Sequence, residues 1–342
     1  MIVKEIKNKN EWEDFLFTRE NTLFVQSYNY GEFYKTMGEE FWVFGIYDRE
    51  NILIGGSLVL SVHAKRGNFL YLPYGPILPE KNKEKVLNIF IIFIKNFARE
   101  IGGYNFIKAS PFIDDTEENR KIFKINNFKN APLHILAETT WLLDLSQTEN
   151  ELLQNMNKNH RNLINRCMRE GIKIIKSKDP RSMQKFLKVY DITAQRHNFH
   201  KFSDDYIIKE FQNFAQSDQS LILSAKQPDG AIDSLAIIMY YGNTAAYRHG
   251  ASLNINKKLP TSYLIQWEAI KEAKARGMKW YNFWGVAPEG SPKTHPFWGI
   301  THFKKGFGGR QKDLLHCQDL PLNGKYYFNW FIETARKIKR GF

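Results

Sequence analysis

Cysteine is almost absent from this chain, with Cys167 and Cys317 the only two in 342 residues. Neither sits at a metal-ligand spacing, so a disulfide framework and a structural zinc site are both excluded, and a reduced, cytosolic setting is expected. Long apolar runs are missing too. The most apolar stretch, Val86 to Ile94, falls well short of the roughly 20 residues that a spanning helix needs. The opening MIVKEIKNKNEW lacks the apolar centre of a signal peptide. Nine histidines are scattered with no H-E-x-x-H pair and no nucleophile elbow, which removes zinc-hydrolase and Ser-His-Asp chemistry. Acidic residues are in deficit, 36 against 49 basic, leaving a net charge of +13. A field of that sign attracts nucleic acid, phosphorylated substrates or an anionic membrane surface. A lysine-rich proteome would produce the same excess with no polyanion involved.

Apolar and aromatic residues are plentiful, at 43% and 15%, enough for two domains with separate cores. The first half reads as a strand at Met1–Glu5 and a helix capped by Asn10 that runs to about Phe17. A second helix starts at Ser27 and runs through Lys35. A hairpin, Phe41–Tyr47 and Ile52–Val62, turns at Asp48, Arg49, Glu50 and Asn51. The strand NFLYLPYGPIL is followed by a long helix, Lys83–Ile101, stopped by Gly102 and Gly103. Strand Tyr104–Ala109, helix Asp115–Ile125 and strand Thr139–Leu145 complete this half.

The pattern then restarts. Ser146 and Glu149 make a capping box for one helix, and Asn155–Glu170 reads as a second, strongly basic helix. Strand Ile172–Lys176 and helix Pro180–His197 follow. Strands at Leu221–Lys226, Ala231–Tyr241 and Ala245–Ser252 lead to helix Thr261–Arg276 and strand Lys279–Trp284. Ala98-Arg99 and Ala275-Arg276 are 177 residues apart, as are Tyr104-Asn105-Phe106 and Tyr281-Asn282-Phe283, and Ser57-Leu58 and Ser234-Leu235. One offset shared by three structural contexts argues for duplication of an α/β unit. The layout implies an α/β chain of two tandem GNAT-like domains, mixed central sheets flanked by helices. The first would be 1–144, completed by a C-terminal helix within 318–342, and the second 145–317. No heptad-rich segment marks a long coiled-coil insertion.

The stretch WYNFWGVAPEGSPKTHPFWGITHFKKGFGGR, Trp280 to Arg310, concentrates the features able to carry chemistry. Lys304 and Lys305 stand beside Phe303 and Phe307. Gly306, Gly308 and Gly309 permit close approach and backbone conformations that a Cβ forbids. Together with Gln26-Ser27, Lys35, YLPYGPIL, TTWLLDLS, NKNHRNLINRCMREGI, AYRHGAS and PTSYLIQWEAIKEAKARG, this stretch resembles the FemABX family of non-ribosomal peptidyltransferases, in the family's order and over nearly the whole chain. The FK-x-x-FG element (Phe303, Lys304, Phe307, Gly308) is the most specific piece, and the missing insertion matches the compact members.

The resemblance implies a cytoplasmic, monomeric aminoacyltransferase of peptidoglycan biosynthesis. Its donor is aminoacyl-tRNA and its acceptor the side-chain amine on the third stem-peptide residue of lipid II or UDP-MurNAc-pentapeptide. The donor ester is already activated, so no cofactor and no metal is implied. The resemblance gives Lys304 the role of a fixed cation beside the reacting carbonyl oxygen, with Phe303 shaping the pocket and Lys305 able to serve if the register slips. Lys35 and Arg196, facing each other across a cleft between the halves, are implied substrate contacts. Lys201, Tyr206, Tyr247 and Tyr263 follow as further candidates. The compact members carry Asp-Pro where this chain has Ser110-Pro111, so Ser110 takes the place of the acidic acceptor contact, with Asp114 and Asp115 a few residues on.

Two basic surfaces are candidates for tRNA: Lys158, His160, Arg161, Arg166 and Arg169 on one helix, and Arg336, Lys337, Lys339 and Arg340 at the C-terminus. The latter could instead touch anionic lipid at the inner membrane face. An acyl-CoA N-acyltransferase would share the fold, yet no Q/R-x-x-G-x-G/A loop opens a helix. FGGRQ leads instead toward a strand at Leu314 and Leu315. A non-catalytic RNA- or membrane-binding protein would explain the charge and leave the aromatic-lysine loop unexplained.

Overall fold

The computed structural model describes residues 1–20, 22–64, 67–197 and 199–340. The chain divides into two compact units, one comprising 1–19, 25–140 and 312–342, the other 20–24 and 141–311. Each is built on a seven-stranded sheet.

The first sheet uses β1 (Ile2–Glu5), β2 (Phe41–Tyr47), β3 (Leu53–Val62), β4 (Phe69–Tyr74), β5 (Phe106–Pro111) and β6 (Lys129–Asn130). The second uses β7 (Thr139–Asp144), β8 (Lys173–Ser177), β9 (Ser220–Lys226), β10 (Ile232–Tyr241), β11 (Thr244–Ser252), β12 (Trp280–Gly285) and β13 (Arg310–Asp313). The chain then returns to the first sheet as β14 (Gln318–Pro321). Spatial order is β1-β2-β3-β4-β5-β14-β6 in one and β8-β9-β10-β11-β12-β7-β13 in the other. The two orders correspond strand for strand. In each, the fourth and fifth strands are parallel while the first four alternate antiparallel. Ser57-Leu58 and Ser234-Leu235 both lie in the third strand, and Phe106 and Phe283 both lie in the fifth, so the 177-residue repeat is a repeat of structure.

Residue pattern explains the elements. In the helix Lys83–Ile101, Val86, Leu87, Phe90, Ile91, Ile94 and Ala98 form one stripe, and all are buried in the first core beside Phe44, Leu70 and Ile107. Gly102 and Gly103 end it at φ +67° and +81°, a region costly for any residue with a Cβ. The helix Ser262–Ala275 does the same for the second core with Leu264, Ile265, Ala269, Ile270 and Ala273. At the β2–β3 turn the Asp48 carboxylate accepts from the backbone N–H groups of Glu50 and Ile52, while Asn51 sits at φ +62°. Asp and Asn are suited to those positions.

Several local expectations are corrected. The capping box is Thr148 with Glu151, not Ser146 with Glu149. The first helix is capped by Asn8, whose side chain accepts from Asn10. The basic helix is Lys158–Arg169, starting three residues later than expected because Asn157 caps it, and the helix before it, Glu149–Asn155, ends at Asn155. The strand after FGG is Arg310–Asp313, earlier than Leu314 and Leu315. Two helices were not foreseen, Asp204–Ala215 and Trp298–Lys305. Of the expected C-terminal segment, residues 341 and 342 lie outside the described residues, and the helix there is Tyr326–Arg340.

Candidate active site

Lys304 sits in the last turn of Trp298–Lys305 and is 96% buried, with 4% relative exposure. Its Nζ donates to the Gly285 carbonyl at 2.6 Å and lies 5.9 Å from the centre of the Tyr247 ring. Its hydrogen bond is thus to a neutral oxygen, and among the described residues no carboxylate lies within ion-pair distance of it. Burial alone drives the ammonium down from an ordinary 10.5 to about 7. Such a group is held near the point where either form is accessible at neutral pH, which is uncommon outside functional sites.

The local chain is shaped to produce this. Trp284 takes φ +67°, a left-handed conformation that costs a non-glycine residue about 1 kcal/mol. The Asn282 carboxamide holds it by accepting from its N–H at 2.7 Å, and the next carbonyl, that of Gly285, is the one Lys304 reaches. The strand β11 carries an extra residue at Arg248 between the pairs Ile237–His249 and Ile238–Tyr247. Beside this bulge the Tyr247 phenol lies directly against Gly250, where a Cβ would fall 1.7 Å from the hydroxyl oxygen.

Around Lys304 the aromatics form a continuous wall. Phe303 meets Tyr263 edge-on at 5.0 Å and Phe307 at 5.3 Å, and Phe307, fully buried, stacks on Phe283 at 5.4 Å. Lys305 points the other way, 5.1 Å over the Trp141 ring, whose Nε1 donates to the Gly308 carbonyl. Gly308 and Gly309 adopt φ +84° and +95°, and a Cβ on Gly309 would strike the Leu142 carbonyl at 2.4 Å. A cavity of about 410 Å³ opens here, lined by Asn157, Asn159, His160, Tyr263, His302, Phe303 and Lys305 among others. The sequence puts His160 on a basic helix face. It is instead buried, receives the Tyr263 and Phe307 rings edge-on, and bonds the Phe303 carbonyl through Nε2 at 2.9 Å. Arg161 is likewise drawn inward, donating to the carbonyls of Leu153, Gln154 and Met156.

The structure therefore brings Phe303, Lys305 and Tyr263 to one cavity, while Lys304 is buried beside Tyr247, and neither of these two is among that cavity's lining residues. Arg196 is placed elsewhere in the same unit, donating to Ser252 Oγ and the Leu253 carbonyl. Lys201 pairs with Asp191 and Asp204. Tyr206 stacks on Phe202 at 4.6 Å and accepts from Arg248. Within the first unit Lys35 is exposed on the helix Tyr28–Thr36. Ser110 is buried, accepting from the Tyr71 hydroxyl at 3.3 Å beside Cys317. Asp115 is engaged by Arg120 through two bonds, and Asp114 by Lys312. No general base emerges from that loop.

A buried cluster escaped the sequence reading. Glu210, on the unforeseen helix Asp204–Ala215, accepts three contacts from Arg248 at 2.9–3.1 Å and one from His249 at 3.3 Å. Burial pushes its carboxyl up, but Arg248 and His249 outweigh burial and hold it below its usual range. The Arg248 guanidinium also lies near the rings of Phe24, Phe202 and Trp284. The signal was Arg248-His249 within AYRHGAS, which lacked a visible acidic partner. Among the described residues no group of His, Cys, Asp and Glu is arranged to hold a metal ion, and no helix is long and apolar enough to cross a membrane.

Two GNAT-like sheets in tandem define the class, a scaffold also found in solved tandem GNAT proteins. The chain belongs to the FemAB family, whose profile matches residues 8–136, 131–227 and 225–333. It is 25% identical over 237 residues to aminoacyltransferase FemA of Staphylococcus epidermidis, covering 67% of this chain and 51% of that protein. The chain thus spans about half the length of the FemA relatives it matches. It is 21% identical over 326 residues to a lipid II:glycine glycyltransferase of the same species, strain ATCC 35984, covering 75% and 77%. A crystal structure of FemX shares the fold at a TM-score of 0.85 and 18% identity, over 97% of this chain and 100% of that one.

Proposed function

We propose that this protein is an aminoacyltransferase that moves an amino acid (glycine, alanine or serine) from aminoacyl-tRNA to the side-chain amine of the third stem-peptide residue of a peptidoglycan precursor, building an interpeptide bridge. Family membership and the names of the relatives support the reaction class. The observation that carries the chemistry is Lys304: a buried lysine that bonds a neutral carbonyl, beside the Tyr247 ring and next in the chain to Phe303.

The acceptor amine attacks the ester carbonyl carbon of the donor, and negative charge moves to the carbonyl oxygen. A cation already desolvated and fixed by the Gly285 carbonyl stabilises that oxygen without reorganising solvent. An arriving anionic centre raises the affinity of Lys304 for its proton, so the charge on Nζ is most favoured when the transition state forms. Collapse expels the ribose hydroxyl, the C–O bond breaks as the C–N bond stands, and the amine's surplus proton leaves to the ribose oxygen or to water. Phe303 and Tyr263 exclude water from the ester, and Lys305 together with the exposed bases Lys158 and Arg169 offers charge to RNA phosphates.

The test is label transfer from glycyl-, alanyl- and seryl-tRNA to lipid-linked and nucleotide-linked pentapeptide precursors. Transfer from one of them supports the reading and names the amino acid. Turnover with an acyl-CoA, and none with any aminoacyl-tRNA, overturns it.

A further inference from the structure

The C-terminal helix Tyr326–Arg340 is turned inside out with respect to a normal surface helix. Its inward face is polar. Asn329 and Glu333 are 2% exposed, bonding Asn105 and Lys108 respectively, while Tyr326 packs edge-on against Phe106. The outward face is aromatic: Tyr327 is 57% exposed, Phe328 66%, Phe331 67% and Ile338 78%. At 100° per residue these four and Ala335 fall on one stripe about 100° wide. Large apolar residues exposed singly mean little, but a contiguous stripe on a helix whose polar side is spent inward marks a contact surface.

Charge identifies the occupant. Lys339 borders the stripe, Arg336 and Lys337 lie about 80° beyond its two edges, all three are exposed, and Lys129 bonds the Tyr327 hydroxyl at 3.0 Å. The chain as a whole carries +13. An apolar aromatic face bordered by bases is the arrangement of helices that lie in the plane of an anionic bilayer, rings among the acyl chains and ammonium groups among the headgroups. We infer that the helix Tyr326–Arg340 docks this protein on an anionic membrane surface through Tyr327, Phe328, Phe331 and Ile338. The inference goes beyond the proposed transfer reaction, and the vesicle-binding measurement that tests it needs neither acceptor nor donor.

The full chain is floated with phosphatidylcholine vesicles with and without one-third phosphatidylglycerol, at physiological salt. Binding only to the anionic vesicles is expected. Phe328→Ser with Phe331→Ser should lower partitioning about a hundredfold, from the loss of two buried rings. Phe328→Trp with Phe331→Trp should retain it. Arg336→Gln, Lys337→Gln and Lys339→Gln together should lower it at least tenfold and flatten its salt dependence. The serine and tryptophan pairs change outward-facing residues only, so unchanged circular dichroism and unchanged transfer to a soluble acceptor are expected of them. The inference is overturned if the wild type ignores anionic vesicles or if the serine pair binds as well as wild type. It is equally overturned if the wild type is a dimer that the serine pair makes monomeric, or if the glutamine triple loses tRNA but keeps vesicles. Vesicles free of cell-wall precursor separate this result from success or failure of the transfer reaction.

Discussion

Replacing Lys304 by methionine should stabilise the protein at the expense of its chemistry, and by an amount that depends on pH. The side chains are of similar length and both fill the buried site, but only lysine brings a charge. Displacing its proton affinity from 10.5 to about 7 corresponds to about 5 kcal/mol disfavouring the charged form in the folded state. The folded-state value lies below the unfolded one, so between pH 7 and 10.5 the unfolded chain binds more protons, and stability contributed by this group rises with pH across that window. Below pH 7 both states are protonated and the full penalty applies. At pH 9 about 2 kcal/mol remains, so wild type should gain roughly 3 kcal/mol between pH 6 and 9 from this residue alone. Lys304→Met escapes the penalty and gives up one bond to the Gly285 carbonyl, which costs about 1 kcal/mol. The variant should therefore be more stable than wild type by about 3–4 kcal/mol at pH 6, shrinking toward 1 by pH 9. Urea unfolding of both proteins across this range measures the difference directly, since other titrating groups cancel. Parallel stability curves would refute a buried, uncompensated ammonium.

Other perturbations follow from the same packing. Gly306→Ala places a Cβ 2.0 Å from the His160 ring, which is pinned between Tyr263 and Phe307; a loss of about 1–3 kcal/mol is expected, and displacement of the adjoining Lys304 should lower the transfer rate more than donor affinity. Glu210→Ala leaves Arg248 buried without its carboxylate and should cost about 3–5 kcal/mol, read by denaturant unfolding. Lys108→Met leaves Asp319 and Glu333 facing each other in the first unit at a similar cost of about 3–5 kcal/mol, and it should raise hydrogen exchange in the C-terminal helix before the sheet.

Much of this architecture can be read from the chain because its signals are local. The Lys83–Ile101 stripe, the Gly102-Gly103 stop and the Asp48–Asn51 turn each follow from a few adjacent residues, and the repeat offset carried the topology from one half to the other. What escaped depends on tertiary partners. Trp298–Lys305 follows a segment holding Pro288, Pro292 and Pro296 and has no polar N-cap, so nothing local announces a helix. The inward turn of His160 needs Gly306 and Phe303, some 140 residues away, and Glu210 acquires meaning only through Arg248. The C-terminal bases were visible in sequence. The aromatic stripe beside them was not, because an amphipathic pattern does not say which face the core will claim.

The most direct test of the central claim is single-turnover transfer from the preferred aminoacyl-tRNA, comparing wild type with Lys304→Met at pH 7 while measuring donor binding in the same preparations. If Lys304 acts on the oxyanion of the transfer step, the rate constant should fall about 10²–10³-fold with donor affinity nearly unchanged. A variant that transfers at the wild-type rate, or whose deficit lies wholly in donor binding, would contradict it.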